Sequence, residues 1–247
     1  MIKFFRKIRQ KMLTENKFSK YLIYAIGEII LVVIGILIAL SINNWNQERI
    51  QKIEEQTIVK NIHSEYIQNK AIIKRRIEEA ELCEAALRQL MDSIGKDEDF
   101  LKKQNVDSLL VYAFDPPIFR PSENTISGLI QSGRLELLQN QELVNLIYNW
   151  GRTMKALTDR TTRFTTKIDN EIFPYLSKKY SLKDMDAYGP LNWKKKSNLK
   201  VDKLQIFKEI EFENITDDFL YWMADNKNLF IELDLLIDEI LKETQYD

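Results

Sequence analysis

The chain has 247 residues, of which 45% are apolar, with 36 Lys and Arg against 37 Asp and Glu. Residues 1–20 hold seven basic residues and one acid (+6) and residues 21–42 one acid. Residues 43–247 therefore carry 29 basic and 35 acidic residues (−6), a balance that argues against a nucleic-acid partner. The single cysteine, Cys83, excludes an internal disulfide, and the residues beyond position 42 are enough for one core.

Residues 21–42, YLIYAIGEIILVVIGILIALSI, are apolar or small apart from Glu28 and two tyrosines. As a helix they span roughly 33 Å, enough for a hydrocarbon layer of about 30 Å, so a transmembrane helix is predicted. The basic arm, residues 1–20, points to a cytoplasmic N-terminus with 43–247 on the far side. Tyr21 and Tyr24 at one end and Trp45 at the other fit interfacial belts, so the lipid bilayer is the first expected partner. The arm interleaves Phe4, Phe5, Ile8 and Leu13 with its charges; it reads equally as a topology signal or as a segment lying on an anionic leaflet. A cleaved signal peptide is the competing reading, with Ala39-Leu40-Ser41 as its small-x-small site, but its apolar region is normally about 7–15 residues.

Helix formers run from Asn46 to Met91 without Gly or Pro. An apolar stripe through Val59, Ile62, Tyr66, Ile73, Ile77, Ala80, Cys83, Leu87 and Leu90 predicts that the membrane helix continues outward, ending at Ser93-Ile94-Gly95. A short helix is predicted at Val106–Phe114. Pro116, Pro117 and Pro121 interrupt the next stretch. Ser122 is the predicted N-cap of a helix closed by Ser132-Gly133, and Asn140 that of the following one.

That next helix has a heptad seam, Leu143, Ile147, Trp150, Met154, Leu157, Thr161, Phe164, Ile168, Ile172 and Tyr175, with its end marked by Pro174 and Lys178-Lys179-Tyr180. Residues 181–200 read as a loop. Leu204–Phe212 fits strand or helix, with helix preferred. The last helix is predicted from Asn214 or Thr216, with a seam of Phe219, Met223, Asn226, Phe230, Leu233, Ile237 and Ile240. Asn226 reads as a register device. The predicted class is all-α: one N-terminal transmembrane helix continuing into an antiparallel bundle of long helices.

Residues 17–46, KFSKYLIYAIGEIILVVIGILIALSINNWN, resemble the N-terminal signature of a family of uncharacterised single-pass membrane proteins abundant in Bacteroidota, known as a domain of unknown function. Ile130 to Asn140, IQSGRLELLQN, is similar to that family's second recurring patch. The resemblance implies a Gram-negative inner membrane and a periplasmic domain over 43–247; it implies no activity, substrate or catalytic residue.

Among individual residues, Glu28 costs about 2.5–3.5 kcal/mol near mid-membrane and such acids usually face a partner. With Gly35 and Ala39, a small-xxx-small pair, it predicts helix–helix association; the alternative is a tolerated acid that protonates. His63 reads as a boundary residue, Cys83 as a small packed hydrophobe, and Glu78, Glu79, Glu81 and Glu84 as a solvated face. No catalytic triad, metal set or cofactor motif is expected, so the chain is not read as an enzyme. Two functions remain open. One is a membrane-tethered interaction or scaffold protein, oligomeric or with an envelope partner. The other is a sensor whose ligand pocket would gather Arg120, Arg134, Tyr148 and Trp150, signalling to a separate cytoplasmic partner.

Overall fold

The computed structural model describes residues 18–245; most of the basic arm and the side chain of Tyr21 lie outside them. The described residues contain no strand, and the all-α class predicted from the periodicity is the one observed. By its contacts the chain divides into residues 1–57 and 58–247.

The described part of the first unit is helical. Helix α1 runs from Phe18 to Ser93, 76 residues without a break. From Leu22 to Ile42 its large aliphatic side chains stand exposed, Ile23 by 72% and Leu31 by 73%. Burying such a side chain is worth about 1.5–3 kcal/mol, so this surface calls for an apolar surrounding. Among the described residues α1 is the one helix long and apolar enough to cross a membrane.

In the second unit the remaining part of α1 packs with two further long helices, α5 (Gln141–Lys167) and α8 (Ile210–Glu243). Their direction follows from the pairs between them. Thr153 reaches Glu232, Arg160 pairs with Asp225 and Lys167 with Asp218, so α5 and α8 are antiparallel. His63 meets Thr244, Lys70 pairs with Asp234 and Asp238, and Lys227 pairs with Glu84, so α1 and α8 are antiparallel too. The α8 seam is buried at every predicted position, Phe219 through Ile240. Asn226 is 1% exposed and its Oδ1 has no hydrogen-bond partner among the described residues, a cost consistent with a polar residue that fixes register.

Shorter elements close the bundle: α2 (Glu98–Leu101), α3 (Val106–Ala113), α4 (Asn124–Gln131), α6 (Phe173–Lys179) and α7 (Leu182–Met185). Edge-to-face rings link them to the long helices. Tyr66 packs on Trp150, Trp150 on Phe119 and Phe119 on Phe230, while Phe219 takes Phe114 and Phe164. Such pairs add about 0.5–1.5 kcal/mol each beyond their burial.

Four local expectations need correction. The last helix begins at Ile210, more than a turn before Asn214, because Glu209 ends a 3-10 turn over Gln205–Lys208 and Phe212 is drawn into the core beside Phe207 and Tyr175. The helix ends at Lys179 with Tyr180 as its C-cap, where Lys178-Lys179-Tyr180 marked it, but Pro174 itself does not stop it. The backbone widens into a π-turn at Ile168–Ile172, where the Phe173 N–H donates to Ile168 O, and α6 follows. Proline lacks an N–H and its ring crowds the carbonyl four residues back, and the wider turn just before it relieves both. Residues 181–200 are not all loop, since α7 lies within them. Lastly, Ser122 is not the N-cap of α4: its side chain bonds elsewhere, as described below.

Two glycines test the backbone reading. Gly133 ends α4 at φ +69°, and Gly128 lies inside that helix; open space surrounds both. We expect Gly133→Ala to cost about 1 kcal/mol, because a left-handed backbone disfavours any Cβ. Gly128→Ala should gain roughly 0.5–1 kcal/mol in helix propensity. Opposite shifts in the unfolding midpoint are the expected result; shifts of the same sign would contradict it.

Candidate binding groove

The residues that shape the candidate site lie where the proline-rich segment meets α1. That segment cannot be helical, so its backbone groups need partners from outside. Asn69 supplies two. Its Nδ2 donates to the Ser122 carbonyl and its Oδ1 accepts the Ser122 N–H, both at 2.8 Å. One turn away Glu65 accepts the Ser122 hydroxyl at 2.5 Å, the Asn124 N–H at 2.7 Å and the Thr125 N–H at 3.0 Å. The free N–H groups at the start of α4 are thus capped by a carboxylate from α1, where both the charge and the helix dipole favour it. Burial of Glu65 works to raise its pKa, but the donors from Ser122, Thr125 and Asn124 outweigh it and hold the carboxyl below its ordinary value. Beside it the Trp150 Nε1–H donates to Glu123 Oε1 at 2.8 Å.

This clamp seats residues 115–120 against α1 and leaves a groove of about 600 Å³ between them. Ile72, Pro116 and Ile118 give it apolar lining, while Arg76, Glu79 and Arg120 bring both signs of charge. The Arg76 Nη1 is held by Glu79 at 2.5 Å, whereas its Nε is buried with no hydrogen-bond partner among the described residues. An orphaned guanidinium N–H is costly, and an acceptor on a bound molecule would satisfy it. Cys83 also borders the groove. Burial, then the negative charges of Asp115 and Glu84, push its thiol up to about 12, and the Sγ–H donates to the Ala113 carbonyl at 3.2 Å. Its burial and its bond to Ala113 fit a small packed side chain.

Of the four residues expected to form a pocket, Arg120 alone lines the groove. Trp150 is 1% exposed in the core, while Tyr148 and Arg134 are exposed on α5 and on the 3-10 turn Arg134–Leu137. On the membrane helix Glu28 is half-buried, Gly35 and Ala39 are exposed, and a Cβ at Gly35 would meet no atom within 4 Å. Tyr24 is half-buried and Trp45 exposed. His63 holds the hydroxyl of Thr244 at 2.9 Å. Glu84 pairs with Lys227 and Arg88, and Glu79 with Arg76, so the acidic run is only partly a solvated face.

Glu65, Asn69 and Arg76 escaped the sequence reading, although one signal was present. The α1 stripe steps from Tyr66 to Ile73, and Asn69 fills the missing position on the same face.

No curated protein and no solved structure matches the chain. Residues 28–149, which include most of the exposed apolar segment, the clamp and the groove, match the model of a family of unknown function, DUF6090.

Proposed function

We propose that the chain is a membrane-anchored helical interaction or scaffold protein that binds rather than catalyses. In this reading residues 21–42 cross the inner membrane with the N-terminus cytoplasmic, and residues 43–247 form a periplasmic domain. The observation that carries it is the continuity of α1: the exposed apolar segment from Leu22 and the core stripe from Ile58 belong to one unbroken helix. Copies associate through the face bearing Glu28, Gly35 and Ala39, where small residues let backbones approach, or the bundle engages another envelope protein. In this reading the net-negative outer domain argues against a nucleic-acid partner.

The test is mild-detergent purification of the full chain from its host, with particle sizing and mass spectrometry. A defined homo-oligomer that dissociates on Gly35→Leu with Ala39→Leu, or a stoichiometric envelope protein, supports the reading. A lone monomer would sink it. Protease added to spheroplasts should remove residues 43–247 and spare the basic arm; the reverse pattern would overturn the orientation.

The groove favours a second reading, a periplasmic sensor that signals to a separate cytoplasmic partner. Its mixed charge and the orphaned Arg76 Nε suit a small ligand carrying an acceptor beside an apolar part.

A further inference from the structure

The loop after α7 is a strongly basic stretch of the bundle that nothing above has used. Between Tyr188 and Val201 it carries Lys194, Lys195, Lys196 and Lys200 and no acid, +4 in a domain that is otherwise negative. The same stretch exposes its apolar side chains: Leu199 by 80%, Leu191 by 61%, with Tyr188, Trp193 and Val201 also in the open. A solvated loop would account for the lysines. It does not account for a run of aliphatic and aromatic side chains held out in water.

The loop is pinned at its base. Asp184 accepts the Ser197 N–H at 2.6 Å and pairs with Lys203 at 2.7 Å. Buried Asp107 takes Lys203 at 2.6 Å, Lys196 at 3.5 Å and the Tyr180 hydroxyl at 2.8 Å. The tip is turned by Asn192, which adopts φ 45° and accepts a hydrogen bond from Lys194 at 3.1 Å. Lys183 stands 5.5 Å from the centre of the Trp193 ring, keeping a cation beside the indole. Buried carboxylates thus fix a base from which apolar and cationic side chains project together.

We propose that residues 188–201 form a second membrane contact, docking on an anionic bilayer surface. Trp and Tyr suit the headgroup level, aliphatic side chains enter the acyl boundary, and lysines meet anionic headgroups. Nucleic acid fits less well, since the stretch has no Arg and its leucines would gain nothing from phosphodiesters. An acidic protein would match the lysines but leave the exposed leucines unexplained. The docking surface is built from this loop alone; residues 21–42 enter only as the segment that holds the chain in a nanodisc in the test below.

The experiment uses the full chain held in zwitterionic nanodiscs and mixed with larger vesicles, with flotation as the readout. Vesicles of mixed phosphatidylcholine and phosphatidylglycerol should capture the nanodiscs, and pure phosphatidylcholine vesicles should not. Each lysine at an anionic surface is worth about fivefold, or about 1 kcal/mol. Lys194→Ala, Lys195→Ala and Lys200→Ala together should therefore weaken capture about a hundredfold while leaving the Asp107 cluster intact. Leu191→Ser with Leu199→Ser should weaken it as well, and Trp193→Phe should abolish the vesicle-dependent change in indole fluorescence. Equal capture by both vesicle types, or no capture at all, would overturn the proposal. So would loss on the lysine variant with none on the leucine variant, which would mark an ionic patch without bilayer contact. Preferential binding of nucleic acid or of an acidic protein would overturn it too.

Discussion

Replacing Glu65 by Ala should lower the stability of the bundle by about 3 kcal/mol, the cost of stranding several donors at once. The carboxylate accepts the Ser122 hydroxyl and the N–H groups of Asn124 and Thr125. An N-cap contributes about 1 kcal/mol, and each hydrogen bond to a charged group about 1.5–3 kcal/mol, with an unsatisfied buried partner costing a similar amount. Water entering the vacated space offsets part of that sum. For a unit of this size the unfolding midpoint should fall by about 6–12 °C, measurable by the fluorescence of buried Trp150. Glu65→Gln, which keeps an acceptor but not the charge, should lose about half as much.

The same group gives the fold an acid dependence. Its folded pKa lies below the ordinary 4.5, so its stabilisation is complete above about pH 4.5 and is lost as pH falls through the depressed folded value. Below that range wild type and Glu65→Gln should converge. Persistence of the full difference in acid would show that the carboxylate charge is not what caps α4. Because the clamp seats residues 115–120, its release also removes one wall of the groove. Any ligand held there should be lost with the cap rather than with global unfolding.

The fold was legible where the chain follows a period. The α8 seam from Phe219 to Ile240 and the α1 stripe are apolar at helical spacing, and burial follows spacing directly. The groove was not legible, because its parts come from different periods of the chain. Asn69 and Glu65 are polar residues on an apolar face, and what they bind, Ser122 to Thr125, lies more than fifty residues away. Ser122 looked like a cap because a serine before a helix usually is one; here a carboxylate from α1 outcompetes its hydroxyl for the Asn124 and Thr125 N–H groups. Trp150 misled in the other direction. It was grouped with Arg120, Arg134 and Tyr148 as a possible pocket lining, yet it also lay on the α5 seam, and the seam decided its position. The π-turn before Pro174 is a further case: the proline announced a disturbance, while whether the chain stopped or widened depended on Tyr175 and Ile172 being held in the core.

Lys203→Met should be at least as damaging as the loss of Glu65, for a different reason. The ammonium lies within 2.7 Å of both Asp107 and Asp184, carboxylates whose side chains are 6% and 7% exposed. Burial works to lower the pKa of Lys203, but these two acids outweigh it and hold it above its ordinary value. Removing one member of a buried ion pair costs about 3–5 kcal/mol, since the partner is left charged and dry. Here two partners are stranded near one another, with Lys196 at 3.5 Å and the Tyr180 hydroxyl left on Asp107 and the Ser197 N–H left on Asp184. We expect a loss of about 4 kcal/mol, read as a fall of roughly 10 °C in the unfolding midpoint. Adding Asp184→Asn to Lys203→Met should recover part of it by deleting one stranded charge. A double variant weaker than the single one would instead show that packing of the lysine stem is what matters. The pH response runs opposite to that of Glu65. With a raised folded pKa, the lysine's contribution is complete below 10.5 and is lost as pH rises through the folded value. Since Asp184 also holds the Ser197 N–H, Lys203→Met should loosen residues 188–201 before the long helices separate. Faster amide exchange confined to that loop at neutral pH would be the first sign, and its absence would mean the base is held by Asp184 and Ser197 alone.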